Sequence, residues 1–351
     1  MQRPQNQPVK AMRRTDWLLV GGDTILGREI RDLIEEQKLP VNLTLAASRA
    51  GENVLSAPEE EDSDITVMHA LDRTLVEAAD VVLLGGTREA NDHAAALARQ
   101  CAEPPALVDL TGQFEDLPES RLRAPLLETG GEEAGGEAIH TLAHPAAVAL
   151  ARLVALLHPR HRLARVVATI LEPVSQQGRA GIDELHNQTL SLLNFREVPQ
   201  EVFGAQVSFN LLPRYGSGAP RALAEAAGRI EKHLATLCGA RGLPLPSVRL
   251  IQAPVFHGYC LSVWAEFEKR PPVDVLERAL EEAGLDLRRG DVEPVSNVSV
   301  AGQVGLGVSD IAEDHADAQA AWFWLAFDNL RAHAEAALLT AGLLARGREA
   351  K

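Results

Sequence analysis

Val20-Gly21-Gly22-Asp23-Thr24-Ile25-Leu26-Gly27-Arg28-Glu29 is the stretch on which the fold turns. An apolar run at 17–20 leads into it, and an amphipathic helical pattern at 25–37 follows. A glycine-rich turn between strand and helix lets backbone approach a pyrophosphate, and the helix N-terminus offers free amides and a positive dipole end. The other reading is a tight strand-to-helix turn of the kind any α/β domain uses. The full fingerprint has glycine at the middle position. Here that position is Thr24, whose side chain is expected to crowd a bound pyrophosphate. Asp23 is awkward for the same reason: a carboxylate repels the anion. Its alternative role is to cap the first helix and fill the anion site from within.

Working outward, residues 42–47 read as a second strand that ends at Ala47-Ser48-Arg49-Ala50-Gly51. Arg49, with no acid at the strand end, suits the 2′-phosphate of NADP, or else is a solvated surface arginine. Further apolar runs lie at 65–68, 81–84 and 106–108, with a clear helix at 88–101. Gly85-Gly86-Thr87 closes the fourth of these strands, so Gly86 is expected in the same crevice. Alternating strands and helices imply a parallel sheet. Residues 50–64 read as an acidic loop and 130–136 as an exposed Gly/Glu-rich connection. His144-Pro145 opens an apolar helix at 147–157, proline being suited to a first helical turn.

Beyond it the pattern changes. Strands are expected at 165–170, 207–209, 248–255 and 259–267, helices at 180–193, 220–237 and 273–283, and a last helix at 327–346. The fold class expected is therefore α/β: a Rossmann-type NAD(P)-binding domain plus an α+β domain with a largely antiparallel or mixed sheet.

The chain has 351 residues, long enough for two domains. Its net charge of -15 argues against a nucleic-acid partner. Cys101, Cys238 and Cys260 lack CxxC spacing, which fits a reduced cytoplasm and neither a disulfide framework nor a zinc site. No cluster has metal-ligand spacing, no apolar run is long enough to span a bilayer, and residues 1–14 read as a disordered lead-in rather than a signal peptide. Cytoplasmic location is expected.

Five segments, in order, resemble the aspartate-semialdehyde dehydrogenase family. The glycine turn is similar to its Gly-x-x-Gly-x-x-Gly entry. Ser175-Gln176-Gln177-Gly178-Arg179-Ala180-Gly181 is similar to its Ser-Gly-x-Gly-Arg-Ala-Gly stretch. Phe209-Asn210-Leu211-Leu212-Pro213, Pro254-Val255-Phe256-His257-Gly258 and Asp328-Asn329-Leu330-Arg331 match further segments. The resemblance spans residues 16 to 346. It implies a Rossmann domain at 15–145 that the helix 327–346 rejoins, and a catalytic and dimerisation domain at 146–326. It also implies NADP and a homodimer.

In the family, a cysteine thiolate attacks the aldehyde, hydride passes to NADP, and phosphate cleaves the thioester. The resemblance puts Ala147 at the cysteine's position and Tyr259 at the acid/base histidine's. A thiolate is needed because a neutral thiol or hydroxyl attacks too slowly, and tyrosine is a poor base at neutral pH. Glu172 stands for the family's glutamine. The arginines that anchor anionic substrate are matched by Glu115, which reverses the charge, and by Gln252. Ala226 and Arg229 stand for the family's Glu and Lys, and Ala337 and Thr340 for the polar residues near the nicotinamide. This combination looks like the Usg-type paralogues of the family.

The leading expectation is a catalytically degenerate homodimer with a binding, scaffolding or regulatory role and weak or absent NADP binding. A second is an NADP-dependent oxidoreductase with an altered substrate, using Tyr259 or Glu172 for proton transfer. A third is a heteromer with an authentic dehydrogenase. A Cys260–His257 pair is the one replacement nucleophile to weigh. Strand geometry turns residues three apart to opposite faces, so the two should not meet. His144 is either an anion or metal ligand or a helix cap.

Overall fold

The computed structural model describes residues 14–49, 55–56, 66–128 and 139–349. The lead-in at 1–13, most of 50–64 and the connection at 130–136 lie outside them.

β1 (Thr15–Val20) is apolar on both faces because it is a central strand. It is followed by α1 (Ile25–Glu36) and β2 (Val41–Ala46). Two short strands, β3 (Leu55–Ser56) and β4 (Thr66–Val67), come next, then α2 (Arg73–Ala78) and β5 (Val81–Leu84). α3 (Arg88–Ala98), β6 (Ala106–Asp109), β7 (Ser120–Arg123) and β8 (Ile139–Leu142) complete this half. Six strands form a parallel sheet in the order β2-β1-β5-β6-β8-β7. The order reverses between β1 and β5, which is where α/β sheets open a ligand crevice at their C-terminal ends.

One strand expectation fails here. Of the run expected at 65–68, the described residues 66–68 supply only the two-residue β4, paired antiparallel with β3 outside the parallel sheet. Val67 is exposed and Met68 buried, and only the next residue, His69, reaches the parallel sheet, through a single bridge to Ala46. β5 is therefore the third strand of that sheet, not the fourth.

α4 (Pro145–Leu157) leads into β9 (Leu163–Glu172), and α5 (Gly178–Leu193) and α6 (Leu223–Gly239) follow. Next come β10 (Ser247–Gln252), β11 (Tyr259–Phe267), α7 (Val273–Glu282), β12 (Asp286–Arg288), β13 (Gly307–Glu313) and β14 (Ala320–Phe327). The second sheet is mixed, in the order β10-β9-β11-β14-β13-β12. Its inner pairs are antiparallel, while β10–β9 and β12–β13 are parallel. α4, α6 and α7 pack on it around a core that includes Leu150, Leu234, Leu261 and Phe323.

The strand expected at 207–209 is a loop. The amides of Val207 and Ser208 donate to the side chain of Gln188 (2.7 and 3.0 Å) rather than to a neighbouring strand. Phe209 is exposed at φ 56.

α8 (Asn329–Glu349) starts two residues later than expected, since Phe327 ends β14. Asp328 caps it, accepting from the amides of Leu330 and Arg331 at 2.9 and 3.1 Å. The helix returns to the parallel sheet, where Ala334, Ala337, Leu338 and Ala341 pack with Trp17, Leu19 and Leu33. Among the described residues no helix is long and apolar enough to cross a membrane.

Candidate functional site

A cleft of about 660 Å³ runs between the C-terminal edge of the parallel sheet and the second domain. The first turn of α1 (Thr24, Ile25, Leu26) and the β5–α3 turn (Gly85, Gly86, Thr87) line one end. Thr24 is the helix cap: its hydroxyl accepts from Gly27 N at 3.0 Å and donates to Gly21 O at 2.8 Å. The hydroxyl is thus engaged by the turn itself, while Thr24 still lines the cleft. Asp23, contrary to expectation, does not cap α1. Its carboxylate accepts from Ser48 N (2.7 Å) and Ser48 Oγ (2.6 Å), tying the turn to the end of β2.

Backbone approach here is tight. A Cβ on Gly21, at φ 90, would lie 2.4 Å from Gly85 O, and one on Gly27 would lie 2.2 Å from Gly21 O. Helix first-turn amides lack intrahelical acceptors, and those of Ile25 and Leu26 lie at the cleft wall. That set fits a pyrophosphate. Arg49 is exposed at the end of β2. Gly22 packs against Leu45 and away from the cleft lining.

At the inner end stand His144, Gln176, Arg229 and His333. His144 caps α4, its Nδ1 accepting from Ala146 N at 3.2 Å. Its backbone N–H donates to His233 Nδ1 at 2.8 Å. His233 Nε2 in turn lies 3.1 Å from Glu115 Oε2, and Arg229 Nε (2.8 Å) and Lys232 Nζ (3.2 Å) reach the same carboxylate. Burial works against the Glu115 charge, but the His233 hydrogen bond and Arg229 bring its pKa down to about 2. The charge reversal at Glu115 therefore leaves no bare anion: Arg229 and Lys232 of α6 balance its charge, and His233 hydrogen-bonds it. His144 is held well below the usual imidazole range by burial and then by Arg229 and the neighbouring histidines. His333 is lowered to about 4 by burial, despite donating to the Leu110 carbonyl at 2.8 Å.

Behind this wall lies a second polar cluster. Glu172, Gln252 and Tyr259 are each 0 % exposed and none lines the cleft. Tyr259 donates to Glu172 Oε2 (3.1 Å), Tyr215 donates to Gln252 Oε1 (2.7 Å), and Gln252 Nε2 donates to the Glu172 and Ala253 carbonyls (2.8 and 3.0 Å). Burial raises Glu172 to about 7, partly offset by the two tyrosine hydroxyls. Burial and the Glu172 charge together push Tyr259 far above its ordinary value. The His144 ring stands edge-on to Tyr259 at 5.9 Å and separates it from the cleft.

Ala147 is 0 % exposed and packs in the core of the second domain, while the cleft meets α4 only at His144 and Pro145. All three cysteines are buried away from the cleft. Cys260 packs with Val295, Val300 and Ala326, and burial raises its thiol. His257 sits in the turn before β11, off the strand.

The α8 positions singled out from sequence also face elsewhere. Ala337 is in the core of the first domain and Thr340 is fully buried. The residues that α8 gives to the cleft are Asn329, Leu330 and His333. Asn329 accepts from Gly258 N at 3.0 Å and donates to Ser175 Oγ at 3.1 Å, so three of the motif segments meet at one side chain. His233, Tyr215 and His333 are site residues that sequence reasoning missed. The only local signal for His233 is its i+4 spacing from Arg229.

Comparison with known proteins agrees with this architecture. The chain is 27% identical over 324 residues to an aspartate-semialdehyde dehydrogenase of Rickettsia bellii, covering 89% of this chain and 92% of that one. It is 29% identical over 326 residues to a USG-1 protein homolog of Azotobacter vinelandii, covering 90% and 93%. The fold is similar to the crystal structure of aspartate semialdehyde dehydrogenase II complexed with ASA from Vibrio cholerae. The TM-score is 0.79 at 19% identity, covering 95% of this chain and 99% of that one. Residues 154–332 match the semialdehyde dehydrogenase dimerisation domain, and the chain belongs to the semialdehyde dehydrogenase family.

Proposed function

We propose that this chain is a family member that binds NADP without oxidising aspartate semialdehyde, and that it acts as a binding or regulatory homodimer. The observation that carries this is a cleft open at the glycine turn and lined by no thiol among the described residues. Ala147 is packed away from it, and all three cysteines are buried elsewhere. Covalent catalysis of the family's kind needs a thiolate within reach of the carbonyl carbon. The cradle formed by Gly21, Gly27, Ile25 and Leu26 takes the pyrophosphate, and Arg49 is the residue for the 2′-phosphate. The first domain is taken as 15–145 with 327–346, and the dimer forms through 146–326. Leu193, Phe195, Phe209 and Leu211 expose apolar surface there. A heteromer with an authentic dehydrogenase would use the same face.

A second reading, a non-covalent NADP-dependent oxidoreductase, is favoured by one observation: the cleft continues from the glycine turn to His144 and His333. In that case the proton-handling groups are the cleft histidines rather than Tyr259 or Glu172, which do not reach it.

Titrating NADPH while following melting temperature tests the binding, with a rise of several degrees at millimolar cofactor expected. An assay with aspartate semialdehyde, phosphate and NADP should give no turnover above background. Turnover near that of an authentic dehydrogenase would overturn the proposal.

A further inference from the structure

A Rossmann-type unit chooses its dinucleotide at the C-terminal end of the second strand. An acid there accepts from the adenosine ribose hydroxyls and favours NAD, while an arginine without an acid accommodates the 2′-phosphate of NADP. Residues 46–49 of this chain read Ala-Ala-Ser-Arg, with no acid among them. The fold brings one in from the glycine turn. Asp23 reaches over from the β1–α1 connection, and its carboxylate accepts from Ser48 N at 2.7 Å and from Ser48 Oγ at 2.6 Å.

The carboxylate is held there from several sides. The amides of Gly21 and Gly22 donate to the Ala46 carbonyl at 3.0 and 3.2 Å, and Thr87 N donates to the Ser48 carbonyl at 2.8 Å. The end of β2 is thus tied to both glycine turns, and Asp23 is tied to the end of β2. Swinging the carboxylate away would break two short, charge-assisted bonds at once. The Ser48 amide and hydroxyl are two donors suited to a phosphate, and both are spent on Asp23. Each carboxylate oxygen takes one donor from Ser48 and keeps a lone pair for another. Asp23 is only partly buried, so a ligand lying over the turn can reach it.

The cation at this corner is Arg49, which is exposed and has no ion-pair partner among the described residues. Arg31 of α1 reaches the Gly22 carbonyl at 3.5 Å and makes no ion pair with Asp23. A 2′-phosphate placed here would gain one mobile guanidinium and meet one fixed carboxylate. Charges at such separations in a partly solvated site interact strongly enough to set a binding preference.

We propose that Asp23 is the specificity-determining residue of the dinucleotide site: it accepts from the adenosine ribose and repels a 2′-phosphate, so that the site takes NAD(H) at least as well as NADP(H). Asp23 then does from the glycine turn what an acid at the end of β2 does elsewhere, and it offsets Arg49. The proposal rests on the reading of the glycine turn as a dinucleotide cradle, and it names which dinucleotide that cradle favours.

The probe pair is NADH and NADPH, which differ by the 2′-phosphate alone. Each is titrated by calorimetry against the full chain, and the parent is expected to bind NADH at least as tightly as NADPH. Asp23→Asn removes the charge and keeps the tie, since the amide oxygen accepts from Ser48 N and the amide nitrogen can donate to Ser48 Oγ. It should shift the ratio of affinities about tenfold towards NADPH. Asp23→Ser also removes the charge and should shift the ratio the same way, so the test does not depend on the folding of one variant. A parent that favours NADPH by about tenfold or more, or a ratio that neither substitution moves, overturns the proposal. Binding of neither dinucleotide would remove the cradle reading and this inference with it. Binding of both with an NADPH preference indifferent to residue 23 would leave the cradle standing and remove the role of Asp23 alone.

Discussion

Around the glycine turn the chain leaves space, and around Ala147 it leaves none. At the turn, two glycines bring backbone within contact distance of backbone, and a helix terminus opens onto the cleft. α4 begins at the same cleft, yet Ala147, two residues past its first proline, is closed into the core. The two carboxylates divide the same way. Glu115 lies among Arg229, Lys232 and His233 and stays ionised down to about 2. Glu172 lies among tyrosine hydroxyls and holds its proton to about 7. One end of the site is open and lined by backbone, and the other is packed core. The proposed function makes binding geometry and the family's reactive chemistry separable in this chain.

The largest effect that would test this contrast is expected from Gly27→Ala. The new Cβ would stand 2.2 Å from Gly21 O and 2.9 Å from Gly22 Cα, both rigid backbone. The turn must move, at a cost of about 3 kcal/mol, and NADPH should no longer raise the melting temperature. A variant that melts normally and still responds to NADPH would show that the cradle is not the cofactor's site.

How far this contrast is legible in the sequence differs between the two ends. The glycine turn, β11 and the body of α1 follow from local pattern, because periodicity and turn chemistry are local. β14 does not: its apolar run AAWFWLAF merges into the helical pattern after it, and only Asp328, acting as a cap, marks the join. β12 is three residues, DLR, with no apolar repeat to read. At the site, Ala147, Glu172, Gln252 and Tyr259 can be singled out by resemblance. Their partners cannot, since they come from afar in sequence. His144 and His233 are 89 residues apart, and Tyr259 and Glu172 are 87 apart. That distance is also why the charge at Glu115 looks unpaired from sequence alone.

A smaller effect is expected at the closed end. The folded-state pKa of Glu172 is raised from 4.5 to about 7. The folded protein therefore holds this proton longer than the unfolded chain, and stability falls as pH rises from about 4.5 through 7. Glu172→Gln mimics the protonated acid: its oxygen still accepts from Tyr259 and its nitrogen can donate to the Tyr215 oxygen. The variant should be more stable than the parent by about 1 to 3 kcal/mol at pH 8 and close to it at pH 5. Denaturant melts at the two pH values measure this. Equal pH slopes for variant and parent would mean that Glu172 is not the buried acid described here.

The smallest effect sharpens the comparison most. Ala147→Cys restores the atom whose absence is the most visible difference from a thiolate enzyme, and no gain in aspartate-semialdehyde oxidation is expected from it. The side chain at 147 points into packed core, so the sulfur costs about 1 kcal/mol of overpacking. A thiol so buried is also held in its unreactive protonated form, as burial already does for Cys238 and Cys260. No base stands ready for it. The imidazole at the start of α4, His144, is kept neutral and has its Nδ1 occupied by the Ala146 amide, while Tyr259 is tied to Glu172. Groups that act as a unit lose nearly everything when one is missing, so returning one to a set that lacks the others returns little. The measurement is thiol accessibility alongside turnover. If the thiol introduced by Ala147→Cys reacts with a small alkylating reagent at neutral pH and supports oxidation, the core wall is in the wrong position and the distinction between the two ends of the cleft is erased.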